Sequence, residues 1–117
     1  IFKRDGANIY CRVPLAMSTA SLGGQIEVPT LGGGRARISI KSGTQSGTQF
    51  RLRGKGMSIL RRQDRGDLYV EAAVETPVNL SKEQKKLLEQ FAETESSKTS
   101  PEATGFFAKV KDLWTDL

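Results

Sequence analysis

The stretch from Gly47 to Glu75 constrains the fold most, because it contains two runs in which apolar and polar residues alternate. The first run has Phe50 and Leu52 at its apolar positions, and the second run extends over residues 68–75. A period of two puts successive side chains on opposite faces of a β-strand, so each run predicts a strand with one solvated face. A basic segment bracketed by glycines separates the runs and is too long for a tight hairpin. The chain is therefore predicted to leave the sheet there and return.

Further alternating segments precede this stretch. A strand is predicted over residues 9–15, and Pro14 within it favours a position at the edge of a sheet. Strands around Ile26 and around Ile38 are separated by only a short glycine-rich turn, which predicts antiparallel pairing. Between these segments, Met17 to Leu22 is predicted to form a short helix that ends at a pair of glycines. The sequence thus predicts a mainly β domain.

Two helices are predicted after the sheet. Ser81 and Gln84 have the spacing of a capping box, so the first helix is expected to begin at Ser81. Its apolar face carries Leu87, Leu88 and Phe91. Residues 93–103 are polar and are interpreted as a mobile linker. The second helix carries an apolar stripe made of Phe106, Phe107, Val110, Leu113, Trp114 and Leu117.

This second stripe needs a partner surface, because a large aromatic face is costly to leave in water. It is interpreted as a contact with another protein chain, and an alternative is a lid on the protein's own domain. The contact with another chain is the favoured interpretation of the two.

Composition limits the possible chemistry. The chain has 117 residues, with one cysteine and no histidine. Histidine is both the commonest general base and the commonest metal ligand, so its absence removes the usual residue for either role. We expect no catalytic residue and no metal site, and we interpret Cys11 as a small buried residue rather than a reactive thiol. A single cysteine cannot form an intrachain disulfide, so the cytoplasm is the expected compartment. The opening residues resemble neither a signal peptide nor a natural start, which suggests a piece of a longer chain.

The net charge of +5 comes from residues 1–80, because acidic and basic residues nearly balance after Ser81. A basic set around the glycine-bracketed segment could contact nucleic-acid phosphates, although a solvated basic face is the favoured interpretation. Its members are Arg51, Arg53, Lys55, Arg61, Arg62 and Arg65. The glycines lack the spacing of a phosphate-binding loop. The carboxylate pairs Asp64/Asp67 and Glu71/Glu75 are interpreted as charges on the sheet surface.

Several motifs together resemble the second C-terminal β-domain and tail of the bacterial DnaJ family, the class A Hsp40 co-chaperones. The resemblance extends over essentially the whole chain, and its most specific parts are Asn8-Ile9-Tyr10-Cys11, Leu22-Gly23-Gly24, the run 50–56 and Gly66-Asp67-Leu68. The turn Leu31-Gly32-Gly33-Gly34 is richer in glycine than the family's usual turn. The family's His-Pro-Asp motif and Cys-x-x-Cys repeats do not occur in this sequence, so no zinc or other cofactor is expected in it.

The resemblance implies an antiparallel β-sandwich-like C-terminal domain followed by C-terminal α-helices. Residues 1–78 are expected to form the client-handling β-domain, and residues 79–117 a helical dimerisation segment. The implied function is that of a non-enzymatic co-chaperone that helps bind unfolded polypeptide, forms a homodimer and cooperates with Hsp70. The alternative is a basic nucleic-acid-binding module, and no membrane association is expected.

Site residues follow from the same interpretation. A client peptide is predicted to add to the strand at Ile9–Val13, with the next strand forming the pocket floor. The predicted client-binding residues are Ile9, Cys11, Val13, Ile26 and Val28. The predicted dimerisation residues are the apolar positions of the two helices, from Leu87 to Leu117.

Overall fold

The computed structural model describes residues 2–57 and 65–115. Its elements are β1 (Phe2–Asp5), β2 (Asn8–Ala16), α1 (Met17–Leu22), β3 (Gly24–Pro29), β4 (Arg35–Ile40), β5 (Gln49–Leu52), β6 (Leu68–Glu75), α2 (Lys82–Thr94) and α3 (Pro101–Thr115). The mainly β fold followed by C-terminal helices is thereby confirmed. The chain divides into two compact units, a β unit that ends at Pro77 and a helical unit that begins at Val78. The predictions for Arg61, Arg62, Asp64 and Leu117 lie outside the described residues.

The larger sheet has four strands in the order β1-β2-β6-β5. β1 pairs antiparallel with β2, and β5 pairs antiparallel with β6. The central pair, β2 with β6, is parallel, with Ile9 opposite Leu68 and Ala16 opposite Glu75. The long connection between these two strands permits the parallel arrangement, which alternation alone could not reveal.

The prediction that β2 is an edge strand is wrong, because β2 lies between β1 and β6. The N–H of Ile9 donates to the Asp67 carbonyl at 2.9 Å, on the β6 side. Backbone groups alternate sides along a strand, so the nitrogen of Pro14 faces the β1 side. The register with β1 ends where Phe2 lies opposite Cys11. Pro14 lies beyond that point, so its missing N–H costs no hydrogen bond to β1.

The smaller sheet consists of β3 and β4, which pair antiparallel as predicted. Both sheets contribute to one buried cluster. Its members are Ile9, Cys11, Leu15, Val28, Ile38, Ile40, Leu68, Val70 and Ala72. Full burial of a large aliphatic side chain contributes roughly 1.5–3 kcal/mol, so this cluster stabilises the β unit. The predicted burial of Cys11 is confirmed, and burial also raises the pKa of its thiol.

The start of α2 is as predicted. The Gln84 N–H donates to Ser81 Oγ at 3.1 Å, and the Ser81 N–H donates to Gln84 Oε1 at 2.9 Å. The predicted linker was too long at both ends, because α2 continues to Thr94 and α3 begins at Pro101. Proline suits the first position of a helix, where its missing N–H has no helical partner to lose.

A set of backbone contacts, here called the Ala7 junction, joins Ala7, Gly56, Met57 and Gly66. The Met57 N–H donates to the Ala7 carbonyl, the Gly66 N–H to the Met57 carbonyl and the Gly56 N–H to the Gly66 carbonyl, each at 2.8 Å. A Cβ on Gly56 would lie 2.6 Å from the Ala7 carbonyl oxygen, and a Cβ on Gly66 would overlap the Ala7 backbone. Only glycine therefore fits at these two positions.

Asp67 ties the junction to the neighbouring strands. Its carboxylate accepts from Arg51 Nε at 2.7 Å and from the Gly54 N–H at 3.0 Å, and its own N–H donates to Asn8 Oδ1 at 2.8 Å. The Gly54 N–H and the Arg51 guanidinium hold the pKa of this carboxyl below its ordinary value. Asp67 and Arg51 were interpreted as solvated surface charges, but they form an ion pair in which Asp67 is only 15% exposed.

We expect Gly66→Ala to lower the free energy of unfolding by about 3 kcal/mol, because its Cβ would clash with rigid backbone. Gly24→Ala is the matched control, since its Cβ would meet only the Thr19 methyl at 3.7 Å. Urea denaturation of the two variants measures the difference. Equal stabilities would contradict the assigned role of the junction.

Asp67→Asn is expected to destabilise the protein near neutral pH, because it removes the charge that Arg51 and the Gly54 N–H stabilise. Since the folded pKa of Asp67 is lowered from 3.8, its contribution is present above that value and is lost as pH falls through the folded pKa. Melting temperatures of wild type and variant should therefore differ at about pH 7, and the difference should shrink as pH falls below 3.8 and through the folded pKa. A difference that stays constant with pH would show that the ion pair is unimportant.

Candidate functional site

Three of the five predicted client-binding residues lie in the core. Ile9, Cys11 and Val28 are 3%, 5% and 2% exposed, and they pack between the two sheets. In this conformation a peptide outside the domain cannot contact their side chains. Strand addition at residues 9–11 is also blocked, because β1 and β6 already pair with β2 on both sides.

Val13 and Ile26, the other two predicted residues, are partly exposed and pack against the edge of the core. Ile26 belongs to β3, which among the described residues pairs with β4 alone, so its other edge has no described strand partner. A peptide could add to β3 by backbone hydrogen bonds. Client binding therefore stays a prediction, and the geometry restricts it to the surroundings of these two residues.

An aromatic pair covers part of the outer face of the larger sheet. Tyr10 and Tyr69 are direct partners across β2 and β6, and their rings stack with centroids 5.0 Å apart and planes 12° apart. A cavity of about 210 Å³ lies beside the rings, with Lys3, Arg12, Gln49 and Glu71 also in its wall. The stacking of the two tyrosines depends on the parallel register, which the sequence pattern does not contain.

The helical unit exposes most of its large apolar side chains. Neither α2 nor α3 has a buried residue over its described range, although Leu88 and Val110 are partly buried. Phe106 and Phe107 form an edge-to-face pair with centroids 5.2 Å apart. The exposed large apolar side chains of the two helices are Leu87 at 57%, Phe91 at 51%, Phe106 at 61%, Phe107 at 66%, Leu113 at 66% and Trp114 at 74%. This surface can bury apolar area against a partner.

The described residues contain no group of three or more His, Cys, Asp or Glu that could hold a metal ion. No helix within the described ranges has both the length and the apolar composition needed to cross a membrane. The described residues offer contact surface of three kinds, which are an aromatic sheet face, an edge strand and two helices with exposed apolar side chains.

Comparison with known proteins places both units in one family. Residues 1–77 match the family described as DnaJ C terminal domain, and residues 83–116 match the family described as Chaperone protein DnaJ C-terminal region. Similar proteins include Chaperone protein DnaJ of Paramagnetospirillum magneticum, at 62% identity over 100% of this chain. Chaperone protein DnaJ of Rhodospirillum centenum is 60% identical over 99% of this chain.

The chain spans about 31% of the length of these curated relatives. The two family matches follow each other along the chain and together cover the strands and both helices. The resemblance inferred from the motifs is thus confirmed, and the chain belongs to the DnaJ C-terminal domain family.

Proposed function

We propose that this chain is the client-handling and dimerisation part of an Hsp40 co-chaperone that delivers non-native polypeptide to Hsp70 for folding. The observation that carries the proposal is the match of both units to the DnaJ C-terminal families, combined with a helical unit whose large apolar side chains are exposed. The proposed activity is non-enzymatic binding in the cytoplasm, without a cofactor and without membrane association.

The nucleic-acid alternative gains nothing from the comparisons, in which both family matches and the relatives quoted are chaperones. The basic set is also less available than its sequence suggests. Arg51 pairs with Asp67 at 2.7 Å, so one of its cations is already neutralised. Binding to a phosphate backbone needs several unpaired cations along one surface.

In the proposed homodimer, the apolar side chains of the helical unit contact the same surface on a second copy. Isologous contacts of this kind close without leaving a further adhesive surface. Two protomers present two client-binding surfaces to one extended polypeptide, so two weak contacts act with the avidity of a linked pair. The lid on the β unit of the same chain is the competing arrangement.

The client surface is tested by Ile26→Ser, which should weaken binding of an extended apolar peptide roughly fivefold because a partly exposed apolar contact is lost. Fluorescence anisotropy with a labelled peptide measures the affinity, and circular dichroism checks the fold. Leu22→Ser is the matched control, because Leu22 is 81% exposed and lies outside the predicted site. Equal affinities of the Ile26→Ser variant and the wild type would exclude β3 as the site.

The dimer is tested by replacing Phe107 and Trp114 with Ala, because truncating a large aromatic in a packed interface commonly costs about 2 kcal/mol. The two changes together should weaken association about a thousandfold. Light scattering at micromolar concentration should give a dimer mass for the wild type and a monomer mass for the variant. Ending the chain after Ser100 should have the same effect.

A control on the same helix replaces Lys109 and Asp112 with Ala, which leaves the net charge unchanged and should leave the dimer intact. If the wild type scatters as a monomer, or if the variant lacking the two aromatics remains a dimer, the exposed helix face has another role. A monomeric wild type would favour the lid.

A further inference from the structure

A second cavity in the β unit has a cationic lining. Its volume is about 290 Å³, and the described residues that line it are Thr30, Gly32, Gly34, Gly54, Lys55 and Arg65. We call it the Lys55 cavity. None of these residues carries a carboxylate, two carry a positive charge and one carries a hydroxyl group. Three are glycines, so a ligand can approach the backbone without meeting a side chain.

Two turns from distant parts of the chain form this cavity. The turn after β3 is closed by the Thr30 N–H, which donates to the Gly34 carbonyl at 3.0 Å. The turn after β5 is fixed by the Gly54 N–H, which donates to Asp67 Oδ1 at 3.0 Å. Both turns are thus held by hydrogen bonds within the protein before any ligand arrives, so binding requires little ordering of these residues.

Arg65 is also held in position. Its Nε donates to the Gly56 carbonyl at 3.0 Å, and a Cβ placed on Gly32 would lie 4.0 Å from its Nη1. The guanidinium is therefore anchored through one nitrogen, while another nitrogen reaches the glycine turn on the opposite wall. A fork with a fixed orientation can donate to a planar oxyanion at a smaller entropic cost than a mobile side chain.

The charges around the cavity are not neutralised within the described residues. Asp67, which the Gly54 N–H contacts, is already paired with Arg51 at 2.7 Å. The other described ion pairs of the β unit join Glu27 to Arg35 and Arg37. Lys55 and Arg65 line the cavity without a carboxylate partner among the described residues, so an incoming oxyanion could form charge-assisted hydrogen bonds with them.

We propose that the Lys55 cavity binds the side-chain carboxylate of an acidic residue in a client polypeptide. This inference deepens the proposed function and rests on it, because the ligand is a segment of a bound client. The cavity has two cations around a compact, glycine-lined space, which suits one or two carboxylates. A nucleic-acid strand would instead need a longer row of cations to follow its phosphates.

The consequence is selectivity among clients. An apolar segment flanked by Asp or Glu gains a contact in the Lys55 cavity in addition to its apolar contacts. The same segment flanked by Lys meets like charge and binds more weakly. The β unit would therefore select client segments by the sign of their flanking charges.

Three labelled peptides with one apolar centre and flanks of Glu, Gln or Lys test this selectivity by fluorescence anisotropy. The Glu peptide should bind about tenfold more tightly than the Gln peptide at low salt, and the ratio should shrink as salt screens the contact. Lys55→Gln should reduce the ratio about threefold, and Lys55→Gln with Arg65→Gln should abolish it. Lys41→Gln with Lys98→Gln removes equal charge elsewhere and should leave the ratio unchanged.

Arg65 also contacts the Gly56 carbonyl, so its replacement could destabilise the fold, and thermal unfolding must show that each variant is folded. If the double variant unfolds, Lys55→Gln alone provides the test. Equal affinity for the Glu and Gln peptides, with both bound, would overturn the inference while the proposed function stands. The assignment to a carboxylate would be overturned by an oligonucleotide that competes with the Glu peptide and binds more tightly than it does, provided that this binding is lost in Lys55→Gln.

A second measurement separates the inference from the proposed function. In NMR spectra, acetyl-Glu-Glu-amide should shift the amide resonances of Gly32, Gly34 and Gly54 in the wild type but not in Lys55→Gln, and acetyl-Gln-Gln-amide should shift them in neither. If these shifts occur while none of the three long peptides binds, the cavity is an anion site and the proposed client function fails. If no shift occurs with the Glu compound, the cavity assignment is wrong.

Discussion

The close backbone contact of Ala7 with Gly56 and Gly66 fixes how the strands of the larger sheet meet. Directly beside it, the Ile9 N–H donates to the Asp67 carbonyl, and the parallel pairing of β2 with β6 begins. A slip of one residue in this pairing would turn the buried side chains of one strand toward solvent. The register of the central pair, and with it the core between the two sheets, therefore depends on positions that accept only glycine.

The same register also decides which side chains lie together on the surface. It stacks Tyr10 on Tyr69 across the central pair. Asp67, which directly precedes β6, holds the turn after β5 that forms one wall of the Lys55 cavity. The β unit thus closes its own core and presents contact surfaces on fixed strands and turns. The helical unit differs, because its large apolar side chains are exposed along both helices. We propose that the β unit binds client and that the helical unit associates two copies of the chain.

Alternation predicted the strands because a period of two is a local property, and the capping box predicted the start of α2 for the same reason. The interpretation of Pro14 as the mark of an edge strand is wrong. Its missing N–H matters only where a neighbouring strand would pair with it, and the pairing with β1 ends at Cys11, before Pro14. The client site was predicted on the apolar side of two strands, and Ile9 and Val28 prove to be core there. A local pattern cannot distinguish an apolar face that packs on its own domain from one that binds a peptide. The Lys55 cavity joins turns far apart in sequence, so no local motif indicates it.

Native-state hydrogen exchange tests most directly whether the Ala7 junction fixes the β unit. The amide protons of Met57 and Gly66 lie within the junction, and that of Val70 lies in the central strand β6. Our account predicts that all three exchange only through global unfolding, with the same free energy of opening. If the Met57 and Gly66 protons exchanged through a local opening while Val70 stayed protected, the core would hold without the junction. That result would contradict our account.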